Sequence, residues 1–195
     1  MNKTLTLVAL GANLPRDLGS IRRSPAETLR HALADLAGEG LSLVACSRFY
    51  ATPCFPAGAG PDYVNAAARF DNPQGLRPDE VLALLHRVEA AHGRARSTRW
   101  AGRVLDLDLL AMGQAVLPDR ETFEMWRSLP LAQQAQTAPD RLILPHPRLA
   151  DRAFVLVPLA EIAPDWRHPA TGRSVAEMRD ALPSADLNAV QALPA

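Results

Sequence analysis

The segment "RWAGRVLDLDLL", Arg99 to Leu110, combines a strand-like apolar run with two acidic residues. Valine and leucine fill most of the run, which is typical of a buried strand, yet Asp106 and Asp108 stand inside it. Side chains alternate between the two faces of a strand, so we expect both aspartates on one face and the leucines on the other. Two like charges side by side are costly to bury unless something neutralises them. The candidates are the upstream arginines, a metal ion, and a bound polyphosphate that brings its own cations.

Strands and helices are predicted in a regular order around this segment. A first strand covers residues 4–11, and the capping box "SPAE" at Ser24–Glu27 begins a helix. Two strands, 41–52 and 63–70, are expected to be antiparallel, and a second helix covers 78–92 before Gly93. The order βαββαβ predicts an α+β protein of the ferredoxin-like class. A C-terminal segment with a short helix from the capping box "SVAE", Ser174–Glu177, and a long loop insertion at 113–140 are added to it.

Length and composition describe an ordinary globular chain. The 195 residues suit a single domain, 1–195, and the zero net charge argues against a general nucleic-acid binder. Cys46 and Cys54 lack the spacing of a zinc site. The N-terminal run "LTLVAL" is too short for a signal peptide or a membrane span, so we expect a cytoplasmic protein with no membrane partner.

The aspartate pair is suited to metal binding. Two carboxylates at i and i+2 on one face can hold one metal ion together, or each can hold one of two ions. Mg²⁺ fits because it takes few protein carboxylates and keeps its other positions for water and phosphate. An ordinary solvent-facing sheet surface is the alternative explanation, but the arginines upstream favour phosphoryl transfer. No P-loop pattern is present, so a nucleotide site here is built without one.

The stretch "GRARSTRWAGRVLDLDLL" closely resembles the signature of the 6-hydroxymethyl-7,8-dihydropterin pyrophosphokinase family of folate biosynthesis. Further landmarks follow in the family's order along nearly the whole chain: "LGANL", "FYATPCF", "PDYVNAA", "LPHP", "RAFVLVPLAEIAP" and "PATG". The resemblance implies a ferredoxin-like fold and an enzyme, the diphosphokinase that transfers pyrophosphate from MgATP to the pterin hydroxymethyl group and releases AMP. We expect a monomer whose partners are ATP and the pterin.

The resemblance also implies a metal and nucleotide site. Asp106 and Asp108 are implied to bind two Mg²⁺ ions that bridge the phosphates of ATP, the co-substrate. Arg94 and Arg103 are implied to clamp phosphate oxygens as charge shifts toward AMP. The remaining implied ATP-binding residues are His86, Glu89, Arg96, Leu109, Arg141, His146 and Arg152. A solvated helix face explains His86 and Glu89 equally well, and the core explains Leu109.

A pterin is flat and polar at its rim, so its site needs aromatic faces and edge hydrogen bonds. Asn65 offers a donor and an acceptor in one amide, and an amide inside an apolar strand must find partners. Core packing is the alternative for Tyr63 and Phe154. The pterin-binding residues implied by the resemblance are Thr52, Pro53, Phe55, Tyr63, Asn65, Trp100 and Phe154.

The chain departs from the family pattern in two places. Between Gly93 and Trp100 it is one residue shorter, and Ser97 stands at a basic position, which leaves the alignment of Arg96 and Arg99 open. The insertion 113–140 carries an apolar stripe at helical spacing that prolines divide into short pieces. It is either a lid over the ligands or an insertion packed permanently on the sheet edge.

Two other functions share part of this pattern. A nucleotidyl-transferring enzyme with two metal ions also uses carboxylates on a ferredoxin-like sheet, but it does not need the "YVNAA" amide or the "TPCF" loop. A non-catalytic module that binds RNA or a small ligand is the second alternative. RNA binding favours exposed aromatic residues and a basic surface, whereas aromatic residues make up 5% of this chain.

Overall fold

The computed structural model describes residues 4–54, 60–93, 102–130, 133 and 137–194. Its strands are β1 Thr4–Ala12, β2 Arg16–Leu18, β3 Ile21–Arg23, β4 Ser42–Cys46, β5 Tyr50–Thr52, β6 Tyr63–Asn72, β7 Asp106–Met112 and β8 Gln191–Ala192. Its helices are α1 Pro25–Gly38, α2 Pro78–Ala91, α3 Arg120–Ser128, α4 Ala153–Ile162, α5 Val175–Asp180 and α6 Ser184–Asn188, with a 3₁₀ turn at Leu149–Asp151.

The main sheet is antiparallel and runs in the order β7, β1, β6, β5, β8, with β4 also paired to β6. The expectation of an α+β chain is confirmed, as is the antiparallel pairing of the second and third predicted strands. The predicted strand 41–52 consists of two strands, β4 and β5, instead of one. Residues 47–49 separate β4 from β5, and the two strands pair with opposite ends of β6. Strands β2 and β3 form a separate hairpin.

Helices α1 and α2 cover one face of the sheet. Ser24 caps α1 through the predicted capping box, since its hydroxyl accepts from Glu27 N–H while the Glu27 carboxylate accepts from Ser24 N–H. The apolar stripes of both helices pack on alternate strand residues that share one face of the sheet, including Val8 and Leu10 of β1. This packing forms the larger core cluster of the chain.

Helix α4 and the residues after it cover part of the opposite face. Leu156 and Leu159 of α4 pack against Leu7, Ala67 and Leu110 of the sheet. Helix α4 is apolar nearly all round, which suits an element enclosed between the sheet and α5. The second face is therefore buried in its middle, while the end of the sheet that carries Asp106 and Asp108 is more open.

The insertion 113–140 contains helix α3, which begins at the N-cap residue Asp119. Phe123 of α3 is fully buried and lies 5.5 Å from the ring of His168. At the base of the insertion, Leu117 N–H donates to Leu144 O at 2.8 Å, and Leu144 N–H donates back to Leu117 O at 3.2 Å. These contacts favour an insertion packed on the domain. Within the described ranges, no helix is both long enough and apolar enough to span a membrane.

Candidate active site

Strand β7 presents its two aspartates on the face opposite α1 and α2, as the alternation predicts. Leu107 and Leu109 belong to the core beneath those helices, whereas the side chains of Asp106 and Asp108 are 25% and 34% exposed. The alternation ends at a β-bulge, because Val8 pairs with Leu109 and Leu7 pairs with Ala111. Leu110 is the extra residue, and it packs toward α4.

Two arginines neutralise the aspartates. The guanidinium of Arg103 is ion-paired with Asp106, and Arg152 Nη1 lies 3.6 Å from Asp108 Oδ2. Desolvation alone would lower the pKa of Arg103, but the carboxylates of Asp106 and Asp108 outweigh it, so the pKa is raised. Arg103 follows the arginine-rich segment, and Arg152 lies directly before α4. The cations that make the acidic pair tolerable therefore come from two distant parts of the sequence.

His146 lies beside the same pair. Its backbone N–H donates to the carbonyl of Leu110 at 2.8 Å, which attaches the "LPHP" segment to β7 at the bulge. Its Nδ1 accepts a hydrogen bond from Arg148 N–H at 3.1 Å. Desolvation lowers the pKa of His146 from 6.5 to about 4, despite the favourable charge of Asp108, so the ring is neutral at pH 7. Arg148 was not among the predicted site residues, and its position two residues after His146 was the only signal for it.

Asn65 and Thr52 form a second polar pair on the same face. The Asn65 amide donates from Nδ2 to Thr52 Oγ1 at 2.6 Å, and both side chains are buried. In the sheet register, Gly11 of β1 stands between Asn65 of β6 and Asp106 of β7. A Cβ added at Gly11 would lie 3.0 Å from Asn65 Oδ1, so the glycine keeps open the space above the middle strand. The amide and the carboxylates thus face one surface, with strand β1 between them.

Aromatic side chains border this surface. Tyr63 is half-buried, and burial raises the pKa of its hydroxyl, an effect that the nearby Arg103 guanidinium opposes. Phe154 is 38% exposed, and the guanidinium of Arg152 stacks over its ring at 5.5 Å. Pro53 is exposed next to Thr52. The described aromatic rings are therefore available for contact with a planar ligand.

Asn13 is a buried residue, bonded to the Arg103 backbone, that was not among the predicted site residues. It is buried at the end of β1, and its Nδ2 donates to Pro61 O at 3.1 Å while its Oδ1 accepts from Arg103 N–H at 2.7 Å. Asn13 N–H also donates to Arg103 O at 2.9 Å. It joins the segment before β6 to the segment before β7. A polar residue directly after an apolar strand, in "LGANL", was the available signal.

Three predicted ATP-binding residues have other surroundings. Glu89 is only 1% exposed, and its Oε1 accepts from Leu107 N–H at 2.8 Å, so the alternative of a solvated helix face is wrong for this residue. His86 of the same helix is exposed. Leu109 is buried beneath α1 and α2, which agrees with the alternative that it is a core residue.

Arg141 is exposed and lies 3.4 Å from Asp140. The pKa of Asp119, at the start of α3, is lowered mainly by hydrogen bonds from Thr122, and the charge of Arg141 adds a smaller effect in the same direction. The remaining predicted site residues lie outside the described residues. They are Phe55, Arg94, Arg96 and Trp100, and the alternative loop residue Arg99 lies outside as well.

The described side chains fit a magnesium ion at the aspartate pair. Carboxylate oxygens are the ligands that Mg²⁺ prefers, and it commonly takes only one or two of them together with water and phosphate. Asp106 and Asp108 supply such oxygens on a face that is open to solvent. Across the described parts of the chain, no group of three or more His, Cys, Asp or Glu side chains is placed to hold a metal ion alone. A ligand that brings its own oxygens, such as a polyphosphate, would complete the coordination.

Comparison with known proteins gives one consistent result. Residues 7–164 match the model of the 7,8-dihydro-6-hydroxymethylpterin-pyrophosphokinase (HPPK) family. Two relatives named 2-amino-4-hydroxy-6-hydroxymethyldihydropteridine pyrophosphokinase illustrate the similarity. The one from Synechocystis is 35% identical over 88% of this chain and 73% of its own length. The one from Pseudomonas aeruginosa is 36% identical over 90% of both chains.

Solved structures agree with the fold. A crystal structure of an HPPK-DHPS protein in complex with substrates matches 93% of this chain with a TM-score of 0.63 at 11% identity. Wild-type HPPK-DHPS from Plasmodium falciparum matches 92% of this chain with a TM-score of 0.61. The chain spans less than half the length of these two structures, 43% and 44% respectively.

Proposed function

This chain belongs to the 7,8-dihydro-6-hydroxymethylpterin-pyrophosphokinase family, and on that premise we propose how its residues act. Its reaction is the transfer of pyrophosphate from ATP to the hydroxymethyl group of 6-hydroxymethyl-7,8-dihydropterin, in folate biosynthesis. The pterin hydroxyl oxygen forms a bond to the β-phosphorus of ATP. The bond from that phosphorus to the oxygen shared with the α-phosphate breaks, and AMP leaves.

One observation carries the assignment of the site. Asn65, Gly11 and Asp106 are register neighbours on three adjacent strands, so an amide and a carboxylate face one open surface with a glycine between them. Adjacent strands lie about 4.8 Å apart, so the two polar groups are separated by roughly 10 Å. That distance suits a bicyclic ring on one side and a phosphate chain on the other.

The family uses Mg²⁺ with ATP. We propose that Asp106 and Asp108 hold two such ions, since both carboxylates face the same way on the open half of β7. Mg²⁺ held by these carboxylates would supply charge neutralisation for the phosphates. Arg103 and Arg152 already balance these carboxylates, and their guanidiniums remain to pair with phosphate oxygens when the ligands are bound. Arg94 is proposed to assist them.

The neutral ring of His146 is proposed to hydrogen-bond a phosphate oxygen through Nε2. Its Nδ1 accepts from Arg148 N–H, which fixes the tautomer with the proton on Nε2. His86, Glu89, Arg96, Leu109 and Arg141 stay proposals as ATP contacts. Of these, Leu109 and Glu89 are the least favoured by their burial. Pyrophosphoryl transfer needs little covalent chemistry from the protein, so positioning and charge are what these residues contribute.

The pterin edge is proposed to bind at Asn65 and Thr52. Because Asn65 Nδ2 donates to Thr52 Oγ1, the Thr52 hydroxyl hydrogen is left to donate elsewhere, and the amide orientation is fixed before any ligand arrives. Tyr63 and Phe154 would contact the ring faces, and Pro53, Phe55 and Trp100 would complete the pocket. A fixed amide loses less entropy on binding than a mobile one.

We further propose that the fold is ferredoxin-like, with the insertion 113–140 and the C-terminal segment as additions to a single domain, 1–195. The sheet order β7, β1, β6, β4/β5 with a helix after β1 and another after β6 supports this class. The cytoplasmic location, the monomeric state and the absence of a nucleic-acid partner stay predictions.

A product assay tests the function. The protein is incubated with MgATP and 6-hydroxymethyl-7,8-dihydropterin, and the nucleotide products are separated. AMP together with a pterin diphosphate is expected. ADP would indicate single phosphoryl transfer, and free pyrophosphate with AMP attached to the pterin would indicate the alternative nucleotidyl-transferring enzyme. Either result would contradict the proposed reaction.

A further inference from the structure

Glu89 is an acidic side chain enclosed between α2 and β7, with 1% of its surface exposed. Burying a carboxylate is unfavourable unless the site compensates it, and here Oε1 accepts the backbone N–H of Leu107 at 2.8 Å. Leu107 is the residue between Asp106 and Asp108. We propose that Glu89 is a positioning residue for the reaction, because it fixes the peptide that joins the two proposed metal ligands. This inference rests on the proposed function of the aspartate pair.

The position of β7 in the sheet explains why such a residue is needed. In the described sheet, β7 has a strand neighbour on one side only, which is β1. Backbone groups of an edge strand require other partners, and two such groups of β7 have them on either side of Asp108. Leu107 N–H donates to Glu89, and Leu110 O accepts from His146 N–H at 2.8 Å. These two bonds bracket Asp108 and take the place of bonds to a further strand.

The Leu107 N–H donates to a carboxylate oxygen of Glu89 where an inner strand would offer a backbone carbonyl. A hydrogen bond to an ionised acceptor is roughly twice as strong as a neutral one, and the effect is greatest away from water. Catalytic groups must be held within about 0.5 Å of their productive positions, and a displacement of 1 Å can cost about 100-fold in rate. A fixed Leu107 peptide limits the movement of both neighbouring aspartates. In this proposal Glu89 acts on the reaction through the backbone, which is a different role from the direct ATP contact that the family resemblance implies.

Two substitutions separate this role from simple packing. Glu89→Gln keeps the size of the side chain and an oxygen that can accept from Leu107 N–H, whereas Glu89→Leu removes the acceptor. Leu85→Ala is the matched control, because Leu85 is a fully buried residue of the same helix in the same core. It lowers the stability of the fold without removing a hydrogen bond of β7.

The variants are compared at a temperature at which circular dichroism shows all of them folded. We expect Glu89→Leu to lower kcat by about 10- to 100-fold, the range found for residues that orient metal ligands, and to raise the Mg²⁺ concentration for half-maximal rate. The KM for the pterin should not change, because Asn65 lies on β6. Glu89→Gln should restore most of the rate, and Leu85→Ala should retain kcat.

A measurement without turnover accompanies the kinetics. The Leu107 amide resonance should shift in Glu89→Leu but stay close to its native position in Leu85→Ala, and calorimetric binding of a nonhydrolysable ATP analogue with Mn²⁺ should weaken in the first variant only. A folded Glu89→Leu protein with wild-type kcat and metal dependence would overturn the proposal. So would equal losses in Leu85→Ala.

If Glu89→Leu does not fold, Glu89→Asp replaces it. The shorter carboxylate cannot reach Leu107 N–H unless β7 moves, so kcat should fall about 10-fold, and an unchanged kcat would overturn the proposal. The wild-type product assay is separate from these comparisons. Failure of the proposed function would appear as a wild-type protein that makes no AMP, whereas failure of this inference would appear as an active wild type with insensitive variants.

Discussion

The two halves of β7 differ although they belong to one strand. Leu110, Ala111 and Met112 are buried, because helix α4 covers one face of this half and α2 with its neighbours covers the other. Asp106 and Asp108 precede the bulge, and their side chains lie beyond the apolar cover of α4. The carboxylates therefore lie where the second layer ends, and the bulge marks that boundary.

Strand β1 also changes from a buried end to an open end, on the face that carries the aspartates. Its side chains become smaller toward the site, from Leu7 through Ala9 to Gly11. Leu7 packs beneath α4, whereas Gly11 leaves space between Asn65 and Asp106. The sheet thus changes from a surface that excludes water to one that can receive a ligand, within the length of one strand.

The largest expected effect is at the open half of β7. Asp108→Ala should reduce turnover by about 10³-fold or more, since neutralisation of phosphate charge is worth several kcal/mol in the transition state. The apo protein should be no less stable, because relief of the repulsion from Asp106 offsets the loss of the ion pair with Arg152. Steady-state kinetics and urea unfolding measure the two quantities.

Asp17→Ala is the matched control for this change. Asp17 also lies in a strand and stands 3.6 Å from an arginine, Arg22, but it belongs to the exposed hairpin. It should leave turnover unchanged. An Asp108→Ala protein that works at nearly the wild-type rate in limiting Mg²⁺ would contradict the metal assignment.

At the buried half of β7 the effect should be on stability. Leu110→Ala removes a fully buried side chain from the core under α4, and this should lower the free energy of unfolding by about 2–5 kcal/mol. Leu43→Ala, at an exposed strand position, should cost less than about 0.5 kcal/mol. Urea titration measures both. If Leu110→Ala leaves the free energy of unfolding unchanged and abolishes turnover, the two halves of β7 do not differ in the way described.

Asn65→Ala should act on one ligand only. Loss of the edge contact leaves polar groups of the pterin unpaired, which should weaken pterin binding by about 1–3 kcal/mol while binding of a MgATP analogue stays the same. Asn72→Ala is the control, since Asn72 is a buried amide of the same strand that bonds the turn at Leu76 instead. Calorimetry that shows equal loss of both ligands in Asn65→Ala would indicate a role in folding.

The smallest effect concerns the packed insertion. Burial lowers the pKa of His168, whose ring lies against Phe123 and Trp166. The unfolded chain therefore takes up a proton at a higher pH than the folded one, so the contribution of His168 is complete above its ordinary pKa of about 6.5 and declines as the pH falls below it. His168→Gln should flatten the pH dependence of the unfolding free energy between pH 7 and 5. An identical slope in His168→Gln and wild type would disprove the effect.

Local patterns were sufficient to predict much of this molecule. The strand alternation of "LDLDLL" predicted which face carries the aspartates, and the capping boxes at Ser24 and Ser174 marked the starts of α1 and α5. The bulge at Leu110 was not predicted, because an extra residue is visible only when the partner strand is known.

The surroundings of the site were harder to predict. Glu89 lies four residues after Leu85 and eight after Val81, so helical periodicity places it on the buried face, but its charge suggested a solvated one. Its partner, Leu107 N–H, is a backbone group and leaves no mark in the sequence. The contacts of Arg152 with Asp108 and of Asn13 with Arg103 likewise join segments that are far apart in sequence, so no local pattern predicts them.

The paired leucines at the base of the insertion have a consequence for the length of the chain. Leu117 and Leu144 close a neck, and the second side of that neck leads directly to His146. When the two ends of a loop are already tied together, each doubling of the loop length costs only about 0.6 kcal/mol in closure entropy. Residues added beyond the neck, away from the buried Phe123, should therefore not displace His146, so a reporter sequence can be inserted there.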